Sequence, residues 1–292
     1  MSTARARGLG TEIRKLRKGV DLRLEELAKR CGWSRATLGR MESGDKVPTQ
    51  TEVAIVVATL GITGDERARL LDLAEDADKT RWWEVGYSGM PSQLLALIDF
   101  ERKAAKITDI SLALMPGLLQ TADYTRAIIG VGGHEGDDLE SRVSLRLGRQ
   151  SVLTRNEPVE YHAIVDESAL YRPVGGKRVL VEQLRHLSRM AERSNVTLQI
   201  MPLSIGAHVG LNGNHVLLEF RRQRAIVHLE HRRSSVFLDE PEETSPFFDA
   251  LPTLAEAALS SDESVNLIAA RAQAMEEDSD YVRGLAEVQL QR

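Results

Sequence analysis

Residues 24–44, LEELAKRCGWSRATLGRMESG, constrain this chain more than any other stretch. Leu24, Leu27 and Ala28 ask for a short helix, and a second helix over residues 34–43 carries Leu38 with Met41 one turn on. Ala28 is small enough to lie where two helices cross. Gly32, four residues later, accepts a positive φ without steric cost, and Ser34 is a good N-cap. A helix-turn-helix needs all of these in register. A basic helix precedes them, with Leu9, Ile13 and Leu16 at helical spacing. A fourth helix opens on the capping box Thr49–Glu52, buries Val53, Val56, Val57 and Leu60, and can end at Gly61. A fifth opens on a second capping box, Thr63 to Glu66, with the stripe Arg67, Leu70, Leu71 and Ala74. The expectation is an N-terminal all-α five-helix helix-turn-helix domain over residues 1–78.

Charge is divided unevenly. The chain carries −5 overall, yet residues 1–50 hold 12 Lys and Arg against 6 Asp and Glu, leaving 26 against 37 in the remainder. A basic head on an acidic body suits a DNA-reading module joined to something else; a chance fluctuation in a short window is the alternative. With 42% hydrophobic and 28% charged residues the chain is neither disordered nor collagen-like. No apolar run reaches the roughly 18 residues needed to span a bilayer. The basic N-terminus lacks the apolar core of a secretory signal, so a cytoplasmic protein is expected. The single cysteine, Cys31, rules out an internal disulfide and reads either as a small buried hydrophobe or as a redox thiol.

Trp82, Trp83 and Tyr87 lie among Gly86, Gly89 and Pro91 in a loop-like stretch, expected as a linker over residues 79–91. These aromatics either pack a domain against its linker or line a pocket. Beyond them, residues 92–280 read as a C-terminal mixed α+β domain. Residues 92–130 look helical, broken at Pro116-Gly117, and residues 138–153 look helical. Strand-like runs follow at 161–165, 196–201, 215–220 and 225–230, the last two a hairpin around Arg221-Arg222-Gln223-Arg224. That tip reads as a solvated turn or a contact for DNA or an acidic partner. A helix near 176–193 carries Leu180, Leu184 and Leu187, and a final helix covers about 264–277. No catalytic arrangement emerges. Gly86-Tyr-Ser88-Gly89-Met90 is not a nucleophile elbow, and neither a phosphate-binding loop nor HExxH is present. Of His208, His215, His228 and His231, the last two are three apart, which on a strand points them to opposite faces. Neither an enzyme nor a metal or cofactor is expected. The glycine-rich stretch 206–213 reads as a mobile connector or a loop closing over a ligand.

Over about residues 8–62 the chain resembles the helix-turn-helix of phage repressors and of the xenobiotic-response-element type family of bacterial regulators. The resemblance implies base contacts from Ser34, Arg35, Ala36 and Arg40. An Arg there can donate two hydrogen bonds to guanine, worth about 1–3 kcal/mol of discrimination, and Ala36 and the Thr37 methyl can meet a thymine methyl. Ser43 and Lys46 match positions that contact phosphate, which orient without specifying. Arg17 and Glu42 fall where that family places a buried ion pair, two solvated charges being the alternative. The family usually begins its second helix with Ser or Thr followed by Gln, whose amide grips phosphate and braces the first reading residue. Here Arg23 and Leu24 stand instead, so a phosphate contact is assigned to Arg23.

Four further segments, Pro116-Gly-Leu-Leu-Gln-Thr-Ala-Asp-Tyr124, Asp166-Glu-Ser-Ala-Leu170, Gln183-Leu184 and Asn195-Val-Thr-Leu-Gln-Ile-Met-Pro202, resemble actinobacterial regulators that join this helix-turn-helix to a C-terminal domain of unassigned function. In that branch Leu at the start of the second helix is common. The resemblance implies an antitoxin-like transcriptional regulator, often encoded beside a small partner protein. The corner at 116–124 reads either as a partner-binding site or as plain structure. The leading expectation is a repressor-like homodimer on double-stranded DNA. The rivals are an antitoxin whose main act is binding a small protein, and an enzyme domain with an attached DNA reader.

Overall fold

A computed structural model of the chain describes residues 3–75, 81–85, 92–231 and 234–290. Two compact units result, one from residues 1–104 with 218–246, the other from 105–217 with 247–292. The first opens with α1 (Ala4–Gly19), α2 (Leu24–Arg30), α3 (Arg35–Ser43), α4 (Gln50–Thr59) and α5 (Gly64–Glu75). Their boundaries follow the local chemistry. The Thr3 hydroxyl accepts the Ala6 N–H at 3.0 Å and starts α1. Gly32 turns the chain out of α2 at φ 73°. Ser34 Oγ accepts the Thr37 N–H at 3.1 Å and starts α3. Thr49 and Glu52 form the reciprocal capping box of α4 at 3.2 and 3.0 Å. Leu9, Ile13, Leu27, Leu38, Met41, Val53, Val56 and Val57 are fully buried, each large one adding about 1.5–3 kcal/mol of burial. The expected stripe of α5 needs correction. Leu70 and Ala74 are buried, but Leu73 joins them, Leu71 is half-buried and Arg67 faces solvent.

The chain continues through β1 (Arg81–Val85), α6 (Ser92–Lys103), β2 (Lys106–Ser111), α7 (Ala122–Val131), α8 (Gly136–Arg149), β3 (Glu160–Asp166), α9 (Lys177–Ala191), β4 (Val196–Met201), β5 (His215–Glu219), β6 (Ile226–His231), β7 (Ser234–Leu238), α10 (Pro241–Ala257) and α11 (Ser261–Leu290). In the first unit β1, β7 and β6 form an antiparallel ladder, with Trp83 opposite Val236 and Val236 opposite Leu229. Residues 81–85, expected in the loop-like stretch, are therefore a strand; Gly86, Tyr87, Gly89 and Pro91 lie outside the described residues. In the second unit β2, β3 and β4 are parallel, Ile110 pairing with Ile164 and Ile164 with Gln199. The helical expectation for 92–130 is thus interrupted by β2. Ile107 and Ile110 are three apart and mimic helical spacing, while Thr108, Asp109 and Ser111 between and beyond them are buried against the fold. Between β3 and β4 runs α9, whose Leu180, Leu184 and Leu187 are fully buried. Ile110, Ile164, Met201 and Leu254 form one apolar core of this unit. The stretch 203–213 is not featureless. It contains two 3-10 turns, 203–205 and 209–212, and His208 Nε2 lies 3.8 Å from Asp166 Oδ2.

Within the first unit α1 is the central shaft. Arg5 donates to the Leu73 and Asp72 carbonyls of α5 at 3.1 and 2.9 Å, and Arg69 of α5 grips Glu12 with both terminal nitrogens, one at 2.9 Å. Thr11 Oγ1 donates to Asp99 of α6 at 2.9 Å. Against α3 the two backbones touch. A methyl group on Gly10 would lie 2.3 Å from the Met41 carbonyl oxygen, so only glycine fits.

Candidate nucleic-acid interface

The requirement on a reading helix is two-sided: one face must be anchored so that the other stays exposed in a fixed register. Leu38, Met41 and Glu42 supply the anchored face and are buried. Ser34, Arg35, Ala36 and Arg40 are exposed, and Thr37 is half-buried. Gly44, at φ 78°, ends the helix, and its Cα is so close to α1 that a side chain there would strike Arg7.

The anchor is ionic as well as apolar. Arg17 Nε and Nη2 lie 2.6 and 2.8 Å from the two carboxylate oxygens of Glu42, and Arg17 Nη1 donates to the Leu22 carbonyl at 2.8 Å. Arg14 adds a bond from Nη2 to the Glu42 carbonyl at 2.7 Å. The hydrogen bond to Glu42 holds Arg17 above its ordinary pKa despite burial. Such a bidentate pair fixes direction as well as distance.

The exposed face is more varied than its sequence suggests. Arg35 Nε sits 2.6 Å from Glu25 of α2, an open pair worth at most about 1 kcal/mol. Arg40 has no ion pair among the described residues. The Ser34 and Thr37 hydroxyls are 2.9 Å apart, so the Thr37 oxygen is engaged within the helix. Ser43 Oγ donates to the Arg40 carbonyl and lies 2.6 Å from Asp45 Oδ2. Lys46 pairs with Glu52. Arg23 is the exposed N-cap residue of α2, its backbone N–H held by Glu26 at 2.7 Å. Sequence reasoning missed Glu25, Arg14 and Gly10. Only Arg14, three residues before Arg17 on the same helical face, left a periodic signal. Cys31 is half-buried, its thiol 3.6 Å from Thr59 Oγ1.

This geometry accords with a family model described as "Helix-turn-helix domain", which matches residues 8–70. A second, described as "Domain of unknown function (DUF5753)", matches residues 94–270, more than half of the chain. The chain belongs to the DUF5753 family. No curated protein matches it. The helix-turn-helix makes this DUF5753 protein a DNA-binding regulator, and no helix among its described residues is long and apolar enough to cross a membrane.

The motifs of the DUF5753 region are largely internal. Gln183, with no exposed surface, accepts the Thr121 N–H and donates to the Leu119 carbonyl, both at 2.7 Å. Gln120 donates to the Met115 carbonyl at 2.7 Å and accepts from Thr125 and Arg146 at 3.2 Å. Buried Tyr124 accepts the Met115 N–H at 3.2 Å. Asn195 donates to the Leu153 and Val159 carbonyls. Of the two readings of the 116–124 corner, these bonds favour the structural one. At the hairpin tip Arg221 and Arg222 are exposed, whereas Gln223 and Arg224 are half-buried and Arg224 pairs with Glu240 at 2.7 Å, so the tip is only half a solvated turn. His228 stacks on Phe237 at 4.6 Å, while His231 is exposed.

Proposed function

We propose that this chain is a sequence-specific transcription regulator that reads the DNA major groove through α3 as a homodimer. The observation that carries the reading is the division of α3 into an anchored face, Leu38, Met41 and Glu42, and an open face, Ser34, Arg35, Ala36 and Arg40. A helix held this way can present side chains to base edges in one register. Arg40 is the strongest candidate for guanine. Arg35 reaches a base or phosphate by leaving Glu25. Ala36 suits a thymine methyl, and Thr37 contributes through its methyl, its oxygen being engaged by Ser34. Arg23 and Lys46 supply phosphate contacts, Lys46 with the protons Glu52 leaves unused, and Ser43 a weaker one. One short helix gives limited affinity, so two copies about 34 Å apart on one duplex face complete the site. The DUF5753 region then receives the signal or partner.

Selection of bound sequences from a random pool tests this. The wild type should return a near-palindromic consensus, and Arg35→Ala and Arg40→Ala should each lose preference at one position per half-site, by about 1–3 kcal/mol. An unchanged consensus in both variants would remove these residues from the reading face.

A further inference from the structure

Arg7 lies at the opposite end of α1 from Arg17 and is 1% exposed. Its guanidinium carbon sits 5.2 Å from the Phe100 ring centre and 5.1 Å from that of Phe220. Nη1 donates to Gln223 Oε1 at 3.3 Å and to the Arg224 carbonyl at 3.5 Å. Nη2 is 3.7 Å from Asp239 Oδ2, and the same oxygen accepts the Ala4 N–H at 2.5 Å. Asp239 directly follows β7 and its side chain has no exposed surface. The N-terminus of the helix that grips α3 is thus tied to residues more than 200 positions later in the chain.

This is a poor way to gain stability. Arg7 Nε and Nη2 and Asp239 Oδ1 are buried without a hydrogen-bond partner among the described residues. Burial pushes the Asp239 carboxyl up to about 6 against the pull of Arg7, and pushes Arg7 down to about 10. Buried pairs of this kind often add nothing over apolar packing. What the pair does supply is a fixed location. The positions of α1 that meet α3, namely Arg7, Gly10, Arg14 and Arg17, recur every three or four residues along one face. At its first contact α3's terminal Gly44 rests on the Arg7 backbone and Cγ.

We propose that Arg7 and Asp239 are positioning residues for DNA reading: through α1 they let the segment that carries β6 and β7 set the seat of the recognition helix. The inference rests on the reading of α3 as the DNA-reading element. It makes residues 218–246 part of the reading apparatus through α1, without requiring any of them to contact DNA.

The test compares the full-length wild type with D239N and R7M/D239L in three measurements: thermal melting, affinity for the selected operator against scrambled duplex, and backbone amide exchange. The double variant replaces the ion pair with apolar packing. Because it also strands the Ala4 N–H and the Arg224 carbonyl, it should melt below the wild type; at a temperature where both are folded it should lose tenfold or more of its preference for operator over scrambled DNA, with the salt dependence of scrambled-DNA binding unchanged. A folded double variant that discriminates like the wild type overturns the proposal. In D239N, at a temperature where it is folded, exchange should quicken at Gly44 and Lys46, which close the end of α3 by bonding to the Met41 and Arg40 carbonyls, while Val56 of α4 and its C-cap Leu60 stay protected. Uniform quickening across the unit also overturns it, and this arm decides even if the double variant does not fold. If the wild type itself selects no sequence, the reading of α3 fails, and the exchange arm still reports on the joint.

Discussion

The two units solve the same problem with different chemistry. Buried joints around α1 are made of charges: Arg17 with Glu42, Arg69 with Glu12, Arg7 with Asp239. Those of the second unit are made largely of amides, buried or half-buried: Gln120, Gln183, Asn195 and Gln199, whose Nε2 donates to the Ala255 and Leu259 carbonyls at 3.1 and 2.9 Å. An amide offers donor and acceptor together and splices two backbone segments without a charge to desolvate. A bidentate ion pair, as in Arg17 with Glu42 and Arg69 with Glu12, costs more to bury but fixes orientation, whereas the single 3.7 Å contact of Arg7 with Asp239 fixes only location. The helices packed around α3 use the orienting device, and the strand-and-helix scaffold uses the neutral one.

The largest expected effect tests the charged side. Glu42→Ala leaves Arg17 and its contacts buried without a carboxylate and should destabilise the first unit by about 3–5 kcal/mol, measured by urea denaturation. A loss below about 1 kcal/mol would mean that the pair behaves as solvated charge, and the contrast would collapse. Gln183→Leu tests the neutral side. It strands the Thr121 N–H and the Leu119 carbonyl at about 1–3 kcal/mol each and should leave the selected DNA sequence unchanged. A changed consensus at unchanged stability would turn this amide from scaffold into part of the signalling route. The third difference is pH. The folded-state pKa of Asp239, about 6, lies above the ordinary 3.8. Its stabilising contribution is therefore full below about pH 4 and is lost as pH rises through 6. The wild type should gain on D239N as pH falls from 7 to 4, by on the order of 2 kcal/mol. The difference between wild type and Gln183→Leu should stay flat across the same range.

Much of the helical half was legible because its signals are local. A capping hydroxyl, a glycine at a left-handed turn and valines three and four apart define α3 and α4 within a dozen residues. The ion pair of Arg17 and Glu42 could be located only through the resemblance, since no local rule joins positions 25 apart. The open face of α3 was legible as residue types, but the Glu25 contact of Arg35 and the engaged hydroxyl of Ser43 depend on neighbouring elements. In the second half, β3, β4 and α9 declared themselves by alternation or by a leucine stripe. β2 did not, because its buried polar residues Thr108, Asp109 and Ser111 obscure the alternation. The expected final helix 264–277 lies within α11, but α10 was missed: it starts on Pro241, a residue that suits a first helical turn and that reads in isolation as a breaker. The link from Arg7 to Asp239 had no local signature at all.

The close approach at Gly10 has a consequence for retargeting. Where two backbones meet with no side chain between them, there is nothing to repack at the contact, and a shift of one backbone presses directly on the other. Positions 35, 36 and 40 are away from this contact, so the residues proposed to read DNA can be changed without disturbing the seam. Under the proposed route, a displacement of α1 is handed to α3 backbone to backbone, at the contact of Gly10 with the Met41 carbonyl.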